Sequence, residues 1–409
     1  MNVIFITISN ILDIKHKDIY SDLMRRFSQE GHHVYILSPT ERRYKKSTRL
    51  IVSEGVTIVK VKIPNYEKTN KLEKGVSMLL IEYLFKKAIE HFLSDVTFDL
   101  ILYSTPPITF NQLVLFLKKR NPKAISYLLL KDIFPQNAVD LGMISKQGII
   151  YQYLRRKEIQ LYKVSDYIGC MSPANVEYVK ANNSFINPTT IEVAPNSIQI
   201  SDLQPFDRVE ARRQYNISQD DIVFVYGGNL GMPQGIDHMI NCLEECIHLP
   251  GCHFIIVGSG TEYSKISKWY LRIGAKNITF LSRLTKEKYD KLVRASDVGL
   301  IFLDHRFTIP NYPSRLLSYL EFSLPILACT DISTDIGRIA ESNGYGLWCE
   351  SNSVEVFVAC VKKFMSMGTN LKKMGEKGRL FLENNYNIDV TYHAIMKHFQ
   401  SENQRIPMN

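Results

Sequence analysis

Short apolar runs alternate with stretches of helical period along nearly the whole chain. In the first half, strands are predicted over 2–8, 33–37, 57–61, 100–103 and 124–130, with helices over 19–31, 76–93 and 109–119 between them. Strand–helix alternation of this kind implies a parallel sheet with helices on both faces. Gly31, followed by His32, His33 and Val34, reads as a helix stop leading straight into a strand. The same grammar restarts after 193–205, a segment with Pro195 and Pro205 that reads as a linker, and gives strands over 222–226, 253–257, 278–281, 298–302 and 326–329. Continuous apolar runs such as Ile222-Val-Phe-Val-Tyr226 suit strands buried on both faces. The expectation is an α/β protein of two doubly wound, Rossmann-like domains, over 1–198 and 199–384. Their ligand crevices, outside the carboxyl ends of the strands, would face one cleft. A last helical period covers 381–400.

Composition adds size and compartment. A chain of 409 residues, 45% hydrophobic, can fill two cores. No apolar run approaches the ~18 residues of a membrane span. The start, MNVIFITISNIL, lacks the charged leader and small-residue cleavage site of a signal peptide, so a cytoplasmic protein is expected. The cysteines Cys170, Cys242, Cys246, Cys252, Cys329, Cys349 and Cys360 contain no CxxC pair and are expected as reduced thiols.

Charge separates the halves. The whole excess of +9 lies in residues 1–200, which hold 27 Lys+Arg against 18 Asp+Glu, whereas 201–409 hold 23 of each. It clusters at Arg42-Arg43-Tyr44-Lys45-Lys46, Lys86-Lys87, Lys118-Lys119-Arg120 and Arg155-Arg156-Lys157, beside apolar runs such as 78–85. A basic amphipathic surface on one domain suits an anionic membrane face or a pyrophosphate lipid, at roughly 1 kcal/mol per well-placed cation. No aromatic-basic nucleic-acid motif accompanies the charge, so no nucleic-acid partner is expected.

Three strand ends of the second half carry glycine-rich or basic turns: Tyr226-Gly-Gly-Asn-Leu-Gly-Met-Pro-Gln-Gly235, Val257-Gly-Ser-Gly260 and Leu281-Ser-Arg-Leu284. Glycine lets backbone approach a ligand closely. A fourth segment, Pro313-Ser-Arg315, opens a short helix. There Ser314 can accept from a first-turn N–H, and Arg315 adds a cation where the helix dipole is already positive. Together these segments suggest a cradle for a nucleotide diphosphate; ordinary tight turns and a capped helix use the same residues.

In the first half, Asp132 follows an apolar strand and precedes Pro135. It can accept a proton from a substrate hydroxyl, bind that hydroxyl, or cap a helix. Lys131 reads as a phosphate contact or a solvent cation, and His16 as a base or an exposed loop residue. His238, Cys242 and Cys246 share a helix face at four-residue spacing; core cysteines with a rim histidine are preferred there over a metal set. With no Asp-x-Asp in the chain, neither metal nor other cofactor is expected.

The segments 226–235, Ile256-Val-Gly-Ser-Gly260, Phe280-Leu-Ser-Arg283, Ala295-Ser-Asp-Val-Gly-Leu300 and Pro313-Ser-Arg-Leu-Leu-Ser-Tyr-Leu320 resemble the donor domain of glycosyltransferase family 4, retaining transferases of GT-B fold. The first half resembles it too, through Ser104-Thr-Pro-Pro107 and 131–143; the latter is similar to a subgroup that builds O-antigen and capsule units, including transferases of N-acetylfucosamine-type sugars. The resemblance implies a nucleotide-sugar donor, with UDP preferred, and a polyprenyl-pyrophosphate-linked acceptor, met at the inner face of the plasma membrane by a peripheral protein. It also implies that residues 385–409 return to the first domain. By motif position, Gly227, Gly228, Asn229 and Gln234 lie beside the donor phosphates, with Gly258 and Gly260 on the next strand end. Arg283 and Leu284 fall near the base, and Pro313, Ser314 and Arg315 at the pyrophosphate. Three departures stand out. The family's Glu-x7-Glu pair falls on Pro310 and Ser318, leaving Glu321 as the nearest carboxylate; Gln234 stands in a region where the family is basic; and the loop 9–18 lacks a glycine pair. A hydrolysing UDP-sugar 2-epimerase of the same fold and a catalytically silent binding subunit are the rival readings.

Overall fold

The computed structural model describes residues 1–66, 69 and 71–400. The chain divides into two compact units, one formed by Met1–Gln199 with the described residues from Asn387 on, the other by Ile200–Tyr386.

In the first unit the strands are β1 (Asn2–Ile6), β2 (His33–Glu41), β3 (Arg49–Ser53), β4 (Val56–Ile63), β5 (Leu100–Ser104), β6 (Ile125–Leu130), β7 (Tyr167–Cys170) and β8 (Ile191–Val193). They form one sheet in the order β3-β4-β2-β1-β5-β6-β7-β8. Every pairing is parallel except that of β3 with β4. Chain order reverses around β1, which pairs with β2 on one side and β5 on the other.

The second unit holds β9 (Ile222–Asn229), β10 (Cys252–Ser259), β11 (Ile278–Ser282), β12 (Val298–Phe302), β13 (Ile326–Thr330) and β14 (Gly346–Glu350). This sheet is wholly parallel, in the order β11-β10-β9-β12-β13-β14, and reverses between β9 and β12. Each unit closes its own core: Val3, Phe5, Ile36 and Leu102 lie in the first, Phe224, Phe254, Leu300 and Phe364 in the second.

Four strands absent from the sequence expectation appear: β3, β7, β8 and β14. β3 is a partly exposed edge strand with an apolar run of only three residues, Leu50-Ile51-Val52, and β7 and β8 are only 4 and 3 residues long. The predicted linker starts too early, since Val193 closes β8 and Ala194, Asn196 and Ser197 are buried in the first unit. The helical stretch 381–400 is broken in two. Helix Asn370–Asn385 belongs to the second unit and helix Ile388–Gln400 to the first. At the break Tyr386 is buried against Tyr312, hydroxyl to hydroxyl, and the Ile388 N–H donates to Ile198 O at 2.9 Å. Helix Ile388–Gln400 does return to the first unit: Ile388, Tyr392 and Ile395 share its core with Met24 and Phe27. Residues 401–409 of the predicted return segment lie outside the described residues. No described helix is long and apolar enough to cross a membrane.

Candidate functional site

In a doubly wound sheet, ligands gather where strand order reverses, beyond the carboxyl ends. For the second unit that place is the end of β9. Gly227, Gly228 and Asn229 are the last three residues of the strand rather than a loop, and pair in register with Val257, Gly258 and Ser259. The strand continues because its neighbours come too close for side chains. A Cβ on Gly258 would overlap the carbonyl oxygen of Gly228, and one on Gly260 the backbone of Leu230. Protein backbone therefore occupies the side-chain directions of Gly258 and Gly260. That of Gly227 is filled by the ring of Tyr289. Gly228, at φ +136°, lies beside Arg315, whose Cζ would be 3.4 Å from a Cβ at that position.

Arg315 begins helix Arg315–Glu321 and is half-buried. Its Cζ lies 4.4 Å from the centroid of the Tyr226 ring. Among the described residues it forms no ion pair, and its buried Nη1 makes no hydrogen bond. The surrounding aromatic wall is fixed by polar contacts. Tyr226 Oη donates to Asn229 O at 2.6 Å, while Tyr319 Oη accepts from the Gly227 N–H and donates to Leu300 O, both at 3.2 Å. Burial pushes Tyr319 up to about 12, so it stays a neutral phenol beside the cation. A guanidinium with a buried, unused N–H is costly, and an anionic oxygen relieves that cost.

The expected cap by Ser314 is absent. Its backbone already has helical angles, φ −64° and ψ −15°, and its exposed side chain makes no cap bond. Half-buried Pro313 supplies a carbonyl that accepts from the Leu316 N–H at 3.3 Å. Gln234 is buried, and its Oε1 accepts from Asn229 Nδ2 at 2.9 Å and from the Gly231 N–H at 3.1 Å. That oxygen holds the turn after β9. Arg283 is exposed just beyond β11, with Leu284 half-buried beside it. Glu321 sits at the opposite end of its helix from Arg315, buried, accepting from the Ser201 N–H at 3.3 Å. Six helical rises separate the two by about 9 Å along the axis.

In the first unit, Thr105 just past β5 ties down the turn after β6. Its Oγ1 accepts from the N–H groups of Lys131 (2.9 Å) and Asp132 (3.2 Å). Asp132 does not cap the following helix, Gln136–Asp140, whose cap position is Pro135. Its Oδ1 accepts from Asn137 Nδ2 at 2.8 Å. Burial pushes the Asp132 carboxyl up to about 6, against the opposing Asn137 bond. Such a group can exchange a proton near neutral pH.

Lys131 is no solvent cation. Its Nζ turns inward to the carbonyls of Ala194 (3.2 Å) and Pro195 (3.3 Å), beside a cavity of about 10 Å³, the size of one water. Burial pushes its ammonium down to about 7. His16 is exposed and pairs through Nδ1 with Asp13 at 2.9 Å. Sequence reasoning missed a second buried lysine, Lys60 of β4, which donates to Asn10 Oδ1 (2.8 Å) and Ser38 Oγ (2.7 Å) under the loop that follows β1. Nothing in Val59-Lys60-Val61 announces a buried ammonium; the pattern reads as ordinary strand alternation.

Residues 207–381 match the family described as glycosyl transferases group 1. The probable glycosyltransferase WbjE of Pseudomonas aeruginosa is 24% identical over 339 residues, 82% of each chain. The putative colanic acid biosynthesis glycosyl transferase WcaI of Escherichia coli K12 is 23% identical over 194 residues, 47% of this chain and 46% of that one. Among solved structures, Anabaena HepE in complex with UDP superposes with a TM-score of 0.69 at 12% identity, covering 98% of this chain and 100% of that chain. The chain is thus a glycosyltransferase of GT-B fold whose residues 207–381 match the glycosyl transferases group 1 family.

Proposed function

We propose that this enzyme is a retaining family 4 transferase that moves an N-acetylated or deoxy sugar from UDP to a saccharide carried on polyprenyl pyrophosphate, building a surface polysaccharide such as O-antigen or capsule. The observation that carries the reading is Arg315, a half-buried guanidinium with no ion pair among the described residues, facing the side-chain-free edge of Gly228 where strand order reverses. The UDP in the HepE structure and the colanic acid named for WcaI support the donor and product classes.

In this reading Arg315 stabilises the departing diphosphate, the main catalytic demand of the reaction. Retaining hydrolases use a carboxylate nucleophile on the far face of the sugar. Glu321, the carboxylate that follows Ser318 on the same helix, is buried at the end distant from Arg315. In this reading attack comes from the face the diphosphate leaves. The bond from C1 to the diphosphate oxygen breaks, the bond to the acceptor oxygen forms, and the hydroxyl proton passes to the departing phosphate. Asp132 is assigned to orienting the acceptor hydroxyl and His16 to an acceptor contact, while Lys131, turned inward to the Ala194 and Pro195 carbonyls, is not assigned one. Gln234 positions Asn229 rather than meeting phosphate, and no metal has a part.

For the acceptor's lipid, the first unit offers an amphipathic surface. Helix Lys71–Phe92 exposes Val76, Leu79, Leu80 and Tyr83 at helical spacing, and helix Ile149–Val164 exposes Ile149, Ile150 and Tyr153. Lys87 and Lys157 lie over the Tyr83 and Tyr153 rings. Apolar anchors beside cations suit an anionic membrane face.

The test is incubation with a panel of UDP-sugars and a lipid-linked acceptor. Transfer with retained anomeric configuration is expected, and Arg315→Ala is expected to lose roughly 100-fold or more in turnover while staying folded. Near-normal turnover in that variant would sink the assignment; free epimer, or binding without turnover, would select one of the rival readings.

A further inference from the structure

A second cluster of reactive groups lies in the second unit, apart from anything the transfer reaction uses. Helix Ile236–Cys246 puts His238 and Cys242 one turn apart, with His238 Nε2 at 3.3 Å from Cys242 Sγ. Cys329 of β13 comes up beneath them, so that the donor atoms of His238, Cys242 and Cys329 all lie within 4.8 Å of one another. Cys349 of β14 stands directly opposite Cys329 in the parallel register and belongs to the same buried cluster. Cys246, which the helical spacing offered as the third member, is replaced in this set by Cys329; the spacing could not show it, because Cys329 arrives from a strand 87 positions after Cys242.

We propose that His238, Cys242 and Cys329, with Cys349 as fourth donor, bind a thiophilic d10 metal ion, zinc(II) first. Zinc held tetrahedrally by sulfur at about 2.3 Å and imidazole nitrogen at about 2.0 Å keeps its donor atoms roughly 3.5–3.8 Å apart. The observed triad reaches that spacing by small side-chain movements on one helix and one sheet strand, which hold their backbones fixed. Thiols packed as small core hydrophobes do not need a histidine aimed at them, whereas a metal site does. His238 is half-buried and Cys242, Cys329 and Cys349 are buried, so the ion has a route from solvent to a dry sulfur floor. Binding releases the thiol protons to solvent. The bound ion would tie helix Ile236–Cys246 to β13 and β14 and stabilise the unit.

The experiment uses the full-length, reduced, chelator-treated protein titrated with cobalt(II) as a spectroscopic probe, then with zinc(II). One equivalent of cobalt is expected to give thiolate-to-metal charge-transfer absorption with the intense visible bands of a tetrahedral site. Zinc should displace it and raise the unfolding temperature. Cys242→Ser and His238→Ala are each expected to weaken binding by ~10-fold or more; the histidine change is at the rim and leaves the core packed. Cys246→Ala should keep the band. Absence of the charge-transfer band in the parent protein, or a band of equal strength and affinity in Cys242→Ser and His238→Ala, overturns the proposal.

Discussion

The guanidinium of Arg315 lies over the ring of Tyr226, with Cζ 4.4 Å from the ring centroid, and among the described residues it forms no ion pair. The ring is fixed from behind by its hydroxyl bond to Asn229 O at 2.6 Å. Replacing the ring and replacing the hydroxyl therefore have separable effects. Tyr226→Phe keeps the face and loses one hydrogen bond, about 1 kcal/mol of stability. Tyr226→Leu also loses the cation–π contact, about 1–2 kcal/mol at a half-buried site. Under the proposed donor reading, calorimetric titration with UDP should show near-parent affinity for Tyr226→Phe and at least several-fold weaker binding for Tyr226→Leu. Equal affinities in the two variants would mean that the ring does not orient Arg315.

Gly258 and Gly228 touch backbone to backbone where β10 and β9 converge. A methyl group at Gly258 would overlap the Gly228 carbonyl oxygen, and two central strands cannot part to admit it. Gly258→Ala should cost about 3 kcal/mol or more in urea unfolding. Gly274 provides the contrast: at φ +59° with open space around it, Gly274→Ala should cost only about 1 kcal/mol of backbone strain.

These glycines show how far the sequence could be read. Ile222–Tyr226 and Phe254–Val257 are visible as buried strands because both faces of each are apolar. The glycines that follow them are equally visible, and look like turns made for a ligand. That Gly258 and Gly260 are instead needed where two strands press together is a tertiary fact with no local signature. Ser314 illustrates the same limit: its type and position fit a cap, but φ and ψ decide whether the hydroxyl reaches back. The break at Tyr386 is hidden because apolar residues keep a helical period across it, while the contacts that part the two helices come from Tyr312 and Ile198, far away in sequence.

Lys60 is fully buried, bonded only to neutral oxygens and without an ion pair among the described residues. Burial, with a smaller push from Arg49, lowers its ammonium from 10.5 to about 7. Between those values the unfolded chain binds more protons than the folded one, so this residue makes stability rise with pH from about 7 to about 10. Below that window both states are protonated and the folded state carries the full burial cost. Lys60→Met should then be more stable than the parent near pH 7, by ~2 kcal/mol after the two lost hydrogen bonds are subtracted. The advantage should shrink as pH approaches 10. Urea unfolding of both proteins across that range checks it; a pH-independent difference would show that Lys60 keeps an ordinary pKa.

Asp132 gives the activity its own pH signature. Its carboxyl is pushed up to about 6 by burial, with the Asn137 amide pulling the other way. If the ionised form orients the acceptor hydroxyl, turnover at saturating donor should fall as pH drops through about 6, well above the range of an exposed aspartate. Asn137→Ala removes the one side-chain bond that favours the carboxylate, so the falling limb should move to higher pH while the plateau changes little. Asp132→Asn should abolish the limb and lower turnover at every pH. Measuring kcat against pH for the three proteins separates this role from a structural one, because a residue that merely held the turn would change the plateau in Asn137→Ala without moving the midpoint.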